Sequence, residues 1–391
     1  MPHIHIRSFE RLDLPAEIDG VSFDFLATNT EHSDEHLIAA KIEEKPFFLL
    51  VKESQESSLL KSDKITRPSA NYFIHKGLLT YAKASQCEVL DSNVPDNAKN
   101  VHLASDSALK SIDTFIDNFP TDREVRIEVG FGSGRHLLHQ ARENPDILFI
   151  GLEIHKASIE QVLKQINIQQ LDNILLLDYD ARLFMEFVPS NIVGRIYVHF
   201  PVPWDKKLHR RVIGEAFVNE AIRVLKHGGR LELRTDSENY FQYAYETFTA
   251  LNKVKLEIFK NQEIAITSKY EDRWRRMEKN IYDVTMICDE ESEPLDLTGD
   301  FSFETQGYDL EKIKALNGKT ERFDDGFIHF ERLYDINDTK IMYRLSLGSY
   351  DRPEHLYLII EPDQVNYFPS APVRSRTNLS AHIQLKEMLH G

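Results

Sequence analysis

The stretch from residue 124 to 236 constrains the fold more than any other. Five short apolar runs, EVRIEVG, LFIGLEI, NILLLDYD, GRIYVHF and RLELRTD, alternate with helical stretches such as HKASIEQVLKQIN and GEAFVNEAIRVLKHGG. Runs of apolar strands separated by helices argue for a mostly parallel sheet covered on both faces. The expectation is an α/β domain built on a doubly wound, mostly parallel sheet. Such sheets bind ligands beyond the carboxyl ends of their strands, so the residues that follow each strand decide the chemistry.

At 391 residues the chain is too long for one ordinary core. Short alternating runs (HIHIRSF, VSFDFLA, PFFLLVK) predict a β-rich accessory domain over 1–100, closed by the polar stretch DSNVPDNAKN. The α/β domain is expected over 101–290, entered by an amphipathic helix at 104–119 with Leu109, Ile112, Phe115, Ile116 and Phe119 on one stripe. After a second polar stretch, DEESEPLDLTGD, residues 291–391 read as an α+β accessory domain, with a hairpin formed by GFIHFERLYDI and KIMYRLSLGS about an Asn-Asp turn. No internal repeat is visible.

The net charge of −16 divides into −5 over 1–100, −9 over 289–391 and −2 between them. A protein so charged repels phosphate at long range, so nucleic-acid binding has to be local and shaped. No apolar run approaches the ~20 residues of a membrane span. The start, MPHIHIRSFERLDLP, has no continuous apolar segment, and the protein is expected to be cytoplasmic. Cys87 and Cys288 lack metal-ligand spacing, so neither a disulfide framework nor a metal is expected.

EVGFGSGRH follows the first strand and opens a helix. Gly130, Gly132 and Gly134 form Gly-x-Gly-x-Gly behind Glu128, with Arg135 where a dinucleotide fingerprint would place its third glycine. This pattern is more typical of S-adenosylmethionine loops: that cofactor carries an ammonium and a sulfonium but no phosphate, so a carboxylate suits it. Glu153, ending the second strand, is placed to accept from both ribose hydroxyls. Asp180, after the third, is placed to reach the adenine amine. Three acids ending successive strands of one half-sheet point to a ligand more strongly than any one does alone.

The fourth strand ends in PVPWDKKLHRR at the same edge, where a methyl acceptor has to enter. A base can stack on Trp204, or Trp204 can be a hydrophobic lid, while Lys206, His209, Arg210 and Arg211 contact phosphates or bases. EVGFGSGRHLL, FIGLEIHKASI, NILLLDYDA, FPVPWDKKLHRRV, LKHGGRLELRTDSENY and SKYEDR…YDVTM, in this order, resemble the bacterial tRNA (guanine-N7)-methyltransferases over roughly 105–288. The resemblance implies a class I Rossmann-like S-adenosylmethionine-dependent methyltransferase domain, here flanked by β-rich accessory domains. It implies cofactor binding by Glu128, Glu153 and Asp180, and a tRNA partner methylated at guanine-46 of the variable loop. It also places Lys206 and Asp236 as catalytic residues that hold the guanine, together with Ser268 and Glu271.

Two departures stand out. Val202 replaces the aspartate of the family's FPDPW, and about a hundred residues are added at each end of a usually compact domain. Guanine N7 offers a lone pair and no proton, so attack on a methyl group needs orientation rather than a base. Valine at 202 is compatible with that chemistry and less so with methylation of an exocyclic amine. Two other readings remain: a methyltransferase of another RNA or protein, and an RNA-binding scaffold without activity.

Overall fold

The computed structural model describes all residues except 1, 69, 96–107, 117, 267–268, 306, 351 and 391. The chain divides into two compact units, one formed by residues 103–298 and one by 1–102 together with 299–391.

The central unit holds a seven-stranded sheet. Its strands are β1 (Val125–Val129), β2 (Leu148–Glu153), β3 (Ile174–Asp178), β4 (Val193–His199), β5 (Leu225–Thr235), β6 (Lys255–Lys260) and β7 (Tyr282–Ile287), in the order β3-β2-β1-β4-β5-β7-β6. The first five run parallel, while β7 is antiparallel to both β5 and β6. This is the doubly wound arrangement expected from the apolar runs, and its order reverses between β1 and β4. Helices α1 (Arg135–Glu143) and α2 (Lys156–Gln169) bury Leu137, Leu138, Ile159, Val162 and Ile166 against Phe149, Ile174, Leu176 and Tyr197. After the short α3 (Ala181–Met185), helices α4 (Glu215–Val224) and α5 (Glu238–Thr249) pack on β5, and α6 (Lys269–Arg276) precedes β7.

Of the helix expected at 104–119, residues 104–107 and 117 lie outside the described residues; among the described ones Asp113–Ile116 is helical. Residues 108–110 run instead along the edge of β3, where Lys110 N–H donates to the Leu176 carbonyl (2.9 Å) and Leu176 N–H to that of Ala108 (2.7 Å). An unpaired strand edge offers backbone partners that outweigh a weak helical preference.

The flanks, expected as separate domains over 1–100 and 291–391, share one twelve-stranded sheet. Each half has the same order. Ala16–Ile18, Val21–Asn29, Glu35–Ile42, Lys45–Lys52 and Ser58–Ser62 lead to a helix at Asn71–Ala84. Thr320–Phe323, Gly326–Asn337, Lys340–Ser349, Glu354–Glu361 and Gln364–Phe368 lead to a helix at Arg376–His390. The Asn-Asp hairpin is present as expected. The repeat invisible in the residues is thus present in the topology. Equivalent long strands pair antiparallel, Asn29 with Tyr334 and Thr28 with Asp335.

Each half covers one face of its strands with its own helix. The other faces share a core that includes Ala27, Leu37, Phe48, Tyr334, Met342 and Tyr357, with the Phe48 and Tyr357 rings 4.9 Å apart. Glu35, buried at this seam, accepts from Asn29 (3.1 Å), Tyr334 (2.8 Å), Arg332 (2.8 Å) and Lys52 (3.1 Å). Burial opposes its charge, yet these donors hold its pKa down at about 2. Among the described residues no helix is long and apolar enough to cross a membrane.

Candidate active site

The loop after β1 turns through three left-handed glycines, Gly130 (φ 68°), Gly132 (φ 53°) and Gly134 (φ 69°). At Gly134 a Cβ would also collide with Val162, so the loop packs closely against α2. Glu153, ending β2, grips this loop. Its Oε2 accepts from Gly132 N–H (3.0 Å), and its Oε1 accepts from Ile154 and His155 N–H (2.8 and 3.0 Å). Asp180 caps α3 through Arg182 N–H (3.0 Å) and holds the Arg182 guanidinium with both oxygens (3.1 and 3.0 Å). Asp178, not among the acids expected at the strand ends, is exposed and in register with Glu153 at the ends of β3 and β2. The signal was present in DYD, since alternate residues leaving a strand reach the same edge.

Glu128 is only 3% exposed and meets Nδ1 of His136 at 2.7 Å, across the glycine loop. The His136 ring packs against Tyr197 (4.7 Å) and His199 (4.5 Å), and His199 Nε2 lies 3.1 Å from Glu232. Burial disfavours a charge on His136, but the Glu128 carboxylate outweighs it and raises the pKa. Burial likewise opposes the charge on Glu232, and the His199 contact outweighs it, holding the pKa at about 2.

The corner after β4 is strained: Phe200 (φ 50°) and Trp204 (φ 45°) both occupy the left-handed region, which bulky residues avoid. Trp204 is 37% exposed, with the Arg210 guanidinium 5.1 Å from its ring centroid. Lys206, His209 and Arg210 are exposed, and so is Val202.

Arg211 departs from the expectation. It is 4% exposed, donates to the Pro203 carbonyl (2.7 Å) and Asp205 (3.2 Å), and lies 4.7 Å from the Tyr240 and Tyr243 ring centroids. It braces the corner from beneath and is withheld from phosphate.

Glu271 departs as well. With 0% exposure, it accepts from Arg234 (3.1 and 2.7 Å) and Arg275 (2.8 Å), while Arg234 also binds both oxygens of Asp283 at 2.6 Å. A carboxylate so committed holds α6 to β5 and β7 rather than presenting itself to a base. Asp236, after β5, is half-buried and accepts from Lys279 (2.8 Å), whose ammonium stands 3.7 Å over Trp274. Arg135 and Asp272 (2.6 Å) tie the start of α1 to α6. Ser268 lies outside the described residues.

A family model described as "Putative methyltransferase" matches residues 122–284. The chain is 42% identical to a tRNA (guanine-N(7)-)-methyltransferase of Wolinella succinogenes, covering 100% of both chains. It is 38% identical to that of Campylobacter fetus subsp. fetus and 35% identical to that of Helicobacter hepaticus, covering 100% of this chain and 99% of each relative. The chain belongs to the tRNA (guanine-N(7)-)-methyltransferase family. S-adenosylmethionine is accordingly its methyl donor, in keeping with the positive-φ glycines and the strand-end acids. The matches run through both flanks, so these relatives share the whole length of this chain and not the central unit alone.

Proposed function

We propose that the protein transfers a methyl group from S-adenosylmethionine to N7 of a guanine in tRNA, at guanine-46 of the variable loop. The observation that carries this reading is a separation of charge along one sheet edge. Acids stand at or just beyond the ends of β1, β2 and β3, and exposed Lys206, His209 and Arg210 follow β4 beside Trp204. The names of the full-length relatives support both the RNA and the atom methylated.

S-adenosylmethionine supplies a methyl group activated on a sulfonium. Glu128 and Glu153 place negative charge about the glycine loop to favour that cationic ligand, and Asp180 takes its adenine side. N7 attacks with its own lone pair, so the residues have to orient the guanine and need not remove a proton. Asp236 accepts from the guanine N1–H and exocyclic amine once Lys279 releases it, and its charge favours the positive ring formed on methylation. Lys206 holds the guanine from the exposed corner, and Trp204 with His209 and Arg210 receives a stacked base and the backbone.

Substituted tRNA tests this. With 7-deazaguanine at the target the lone pair is lost and the Watson–Crick edge kept, so the RNA should bind and accept no methyl group. Inosine keeps N7 but lacks the amine, and should react with a loss of about 1–3 kcal/mol in transition-state stabilisation. Methyl transfer to the deaza substrate at a normal rate would overturn the N7 assignment. Mapping of the modified base outside the variable loop would overturn the position.

A further inference from the structure

We propose that His136 is a positioning residue for cofactor binding: its Nδ1–H fixes the Glu128 carboxylate at the base of the glycine loop. The inference rests on the reading of Glu128 as a cofactor acid. An ionised carboxylate only accepts hydrogen bonds, so at 2.7 Å the Nδ1 atom carries the proton and donates. Glu128 precedes the loop Gly130–Gly134 and His136 follows it, so this one bond closes the loop at its base. The Gly132–Glu153 bond secures its tip. A loop with three left-handed glycines gains little rigidity from its own side chains and depends on such ties.

The histidine is itself held. Tyr197 and His199 pack against its ring, and Glu232 anchors His199, so the imidazole is oriented by β4 and β5, two strands that supply none of the proposed cofactor acids. Burial makes an unpaired Glu128 charge costly, so without His136 the carboxylate would turn away from its place at the base of the loop. A role in proton transfer is not called for, because N7 has no proton to lose.

Isothermal titration of S-adenosylmethionine into the full-length protein tests this with Glu128→Gln, His136→Phe, His136→Asn and the Glu128→Gln/His136→Phe double variant. Loss of a hydrogen bond to a charged group predicts a Kd raised roughly tenfold or more in His136→Phe. KM for the cofactor should rise in parallel, with kcat changed less than about twofold. His136→Asn, whose amide nitrogen takes the place of Nδ1, should recover most of the affinity. The double variant should bind no more weakly than Glu128→Gln alone. Wild-type affinity in His136→Phe beside weakened binding in Glu128→Gln would overturn the proposal and leave Glu128 a cofactor acid. Wild-type affinity in Glu128→Gln would overturn the underlying reading. Loss of folding in both histidine variants, or additive effects in the double variant, would make the histidine a purely structural residue and overturn the proposal.

Discussion

Arg210 and Arg211 are neighbours with opposite placements, and replacing each by alanine separates RNA contact from architecture. Arg211→Ala removes a charge-assisted bond to the Pro203 carbonyl at 2.7 Å and two ring contacts at 4.7 Å. The Asp205 partner adds little, since that carboxylate is 51% exposed. The bond and the two cation–π contacts, less the relieved cost of burying the guanidinium, come to about 3 kcal/mol. Arg210→Ala removes an exposed side chain and should change stability by less than about 0.5 kcal/mol. Both tryptophans, Trp204 and Trp274, lie in the central unit, so urea unfolding followed by tryptophan fluorescence reports that unit by itself. In tRNA binding over a salt series, Arg210→Ala should flatten the slope by about one unit, as expected for one lost phosphate contact. Arg211→Ala should keep the slope and lower the affinity at every salt concentration, because Trp204 loses its support. A flattened slope with an unchanged unfolding midpoint in Arg211→Ala would refute the bracing role.

Glu153→Ala should weaken S-adenosylmethionine binding by about 1–3 kcal/mol, as measured by calorimetry. Unchanged affinity would remove Glu153 from the cofactor site. Glu35, with its pKa lowered to about 2, stabilises the folded state fully above its ordinary range near 4.3. That stability, about 3 kcal/mol, should be lost as pH falls from about 4.3 towards 2. Near-ultraviolet circular dichroism should accordingly show a steeper acid transition in the wild type than in Glu35→Gln. A chain ending after residue 298 uncovers Ala27, Leu37 and Phe48 at the shared seam, and residues 1–102 should then lose cooperative unfolding and aggregate. A soluble, native-like amino-terminal half would show that each half folds alone.

The central sheet was legible where strands such as LFIGLE and ILLLD are largely buried and read as apolar runs, whereas the mostly exposed Lys255–Lys260 carries no such run. At 108–110 helical spacing misled because it is a local preference, and pairing with Leu176 is not local. The joining of the flanks lies further still from local pattern. Strands Val21–Asn29 and Gly326–Asn337 meet across some three hundred residues, and topology repeats there without a shared residue motif.

At the site, strand-end acids were readable from position alone. Burial was not: HRRV does not say which arginine turns inward, although Arg211 and Ile213 alternate as an inward-facing pair. For Glu271 a partner was in sight, since Arg275 stands four residues on along the same helix.

The charge separation at the sheet edge follows from the strand order itself. A cationic cofactor and a polyanionic RNA make opposite demands on one active site, and uniform charge would repel one of them. Reversal of the order between β1 and β4 puts the acids on the β1-β2-β3 side and the corner with Lys206, His209 and Arg210 on the other. In the proposed transfer the two fields meet at this switch point, and Asp236 follows the adjacent β5. Val202 lies in the corner after β4 with its apolar side chain exposed. A carboxylate there would extend the acidic field towards the phosphates, whereas valine leaves recognition of the guanine edge to Asp236. Because N7 requires no proton acceptor, the exchange of aspartate for valine removes no step from the proposed transfer. Its effect should fall on how tightly cofactor and base are held, so calorimetry of Val202→Asp should show altered cofactor affinity, while mapping of the modified base should still find methylation at N7 alone.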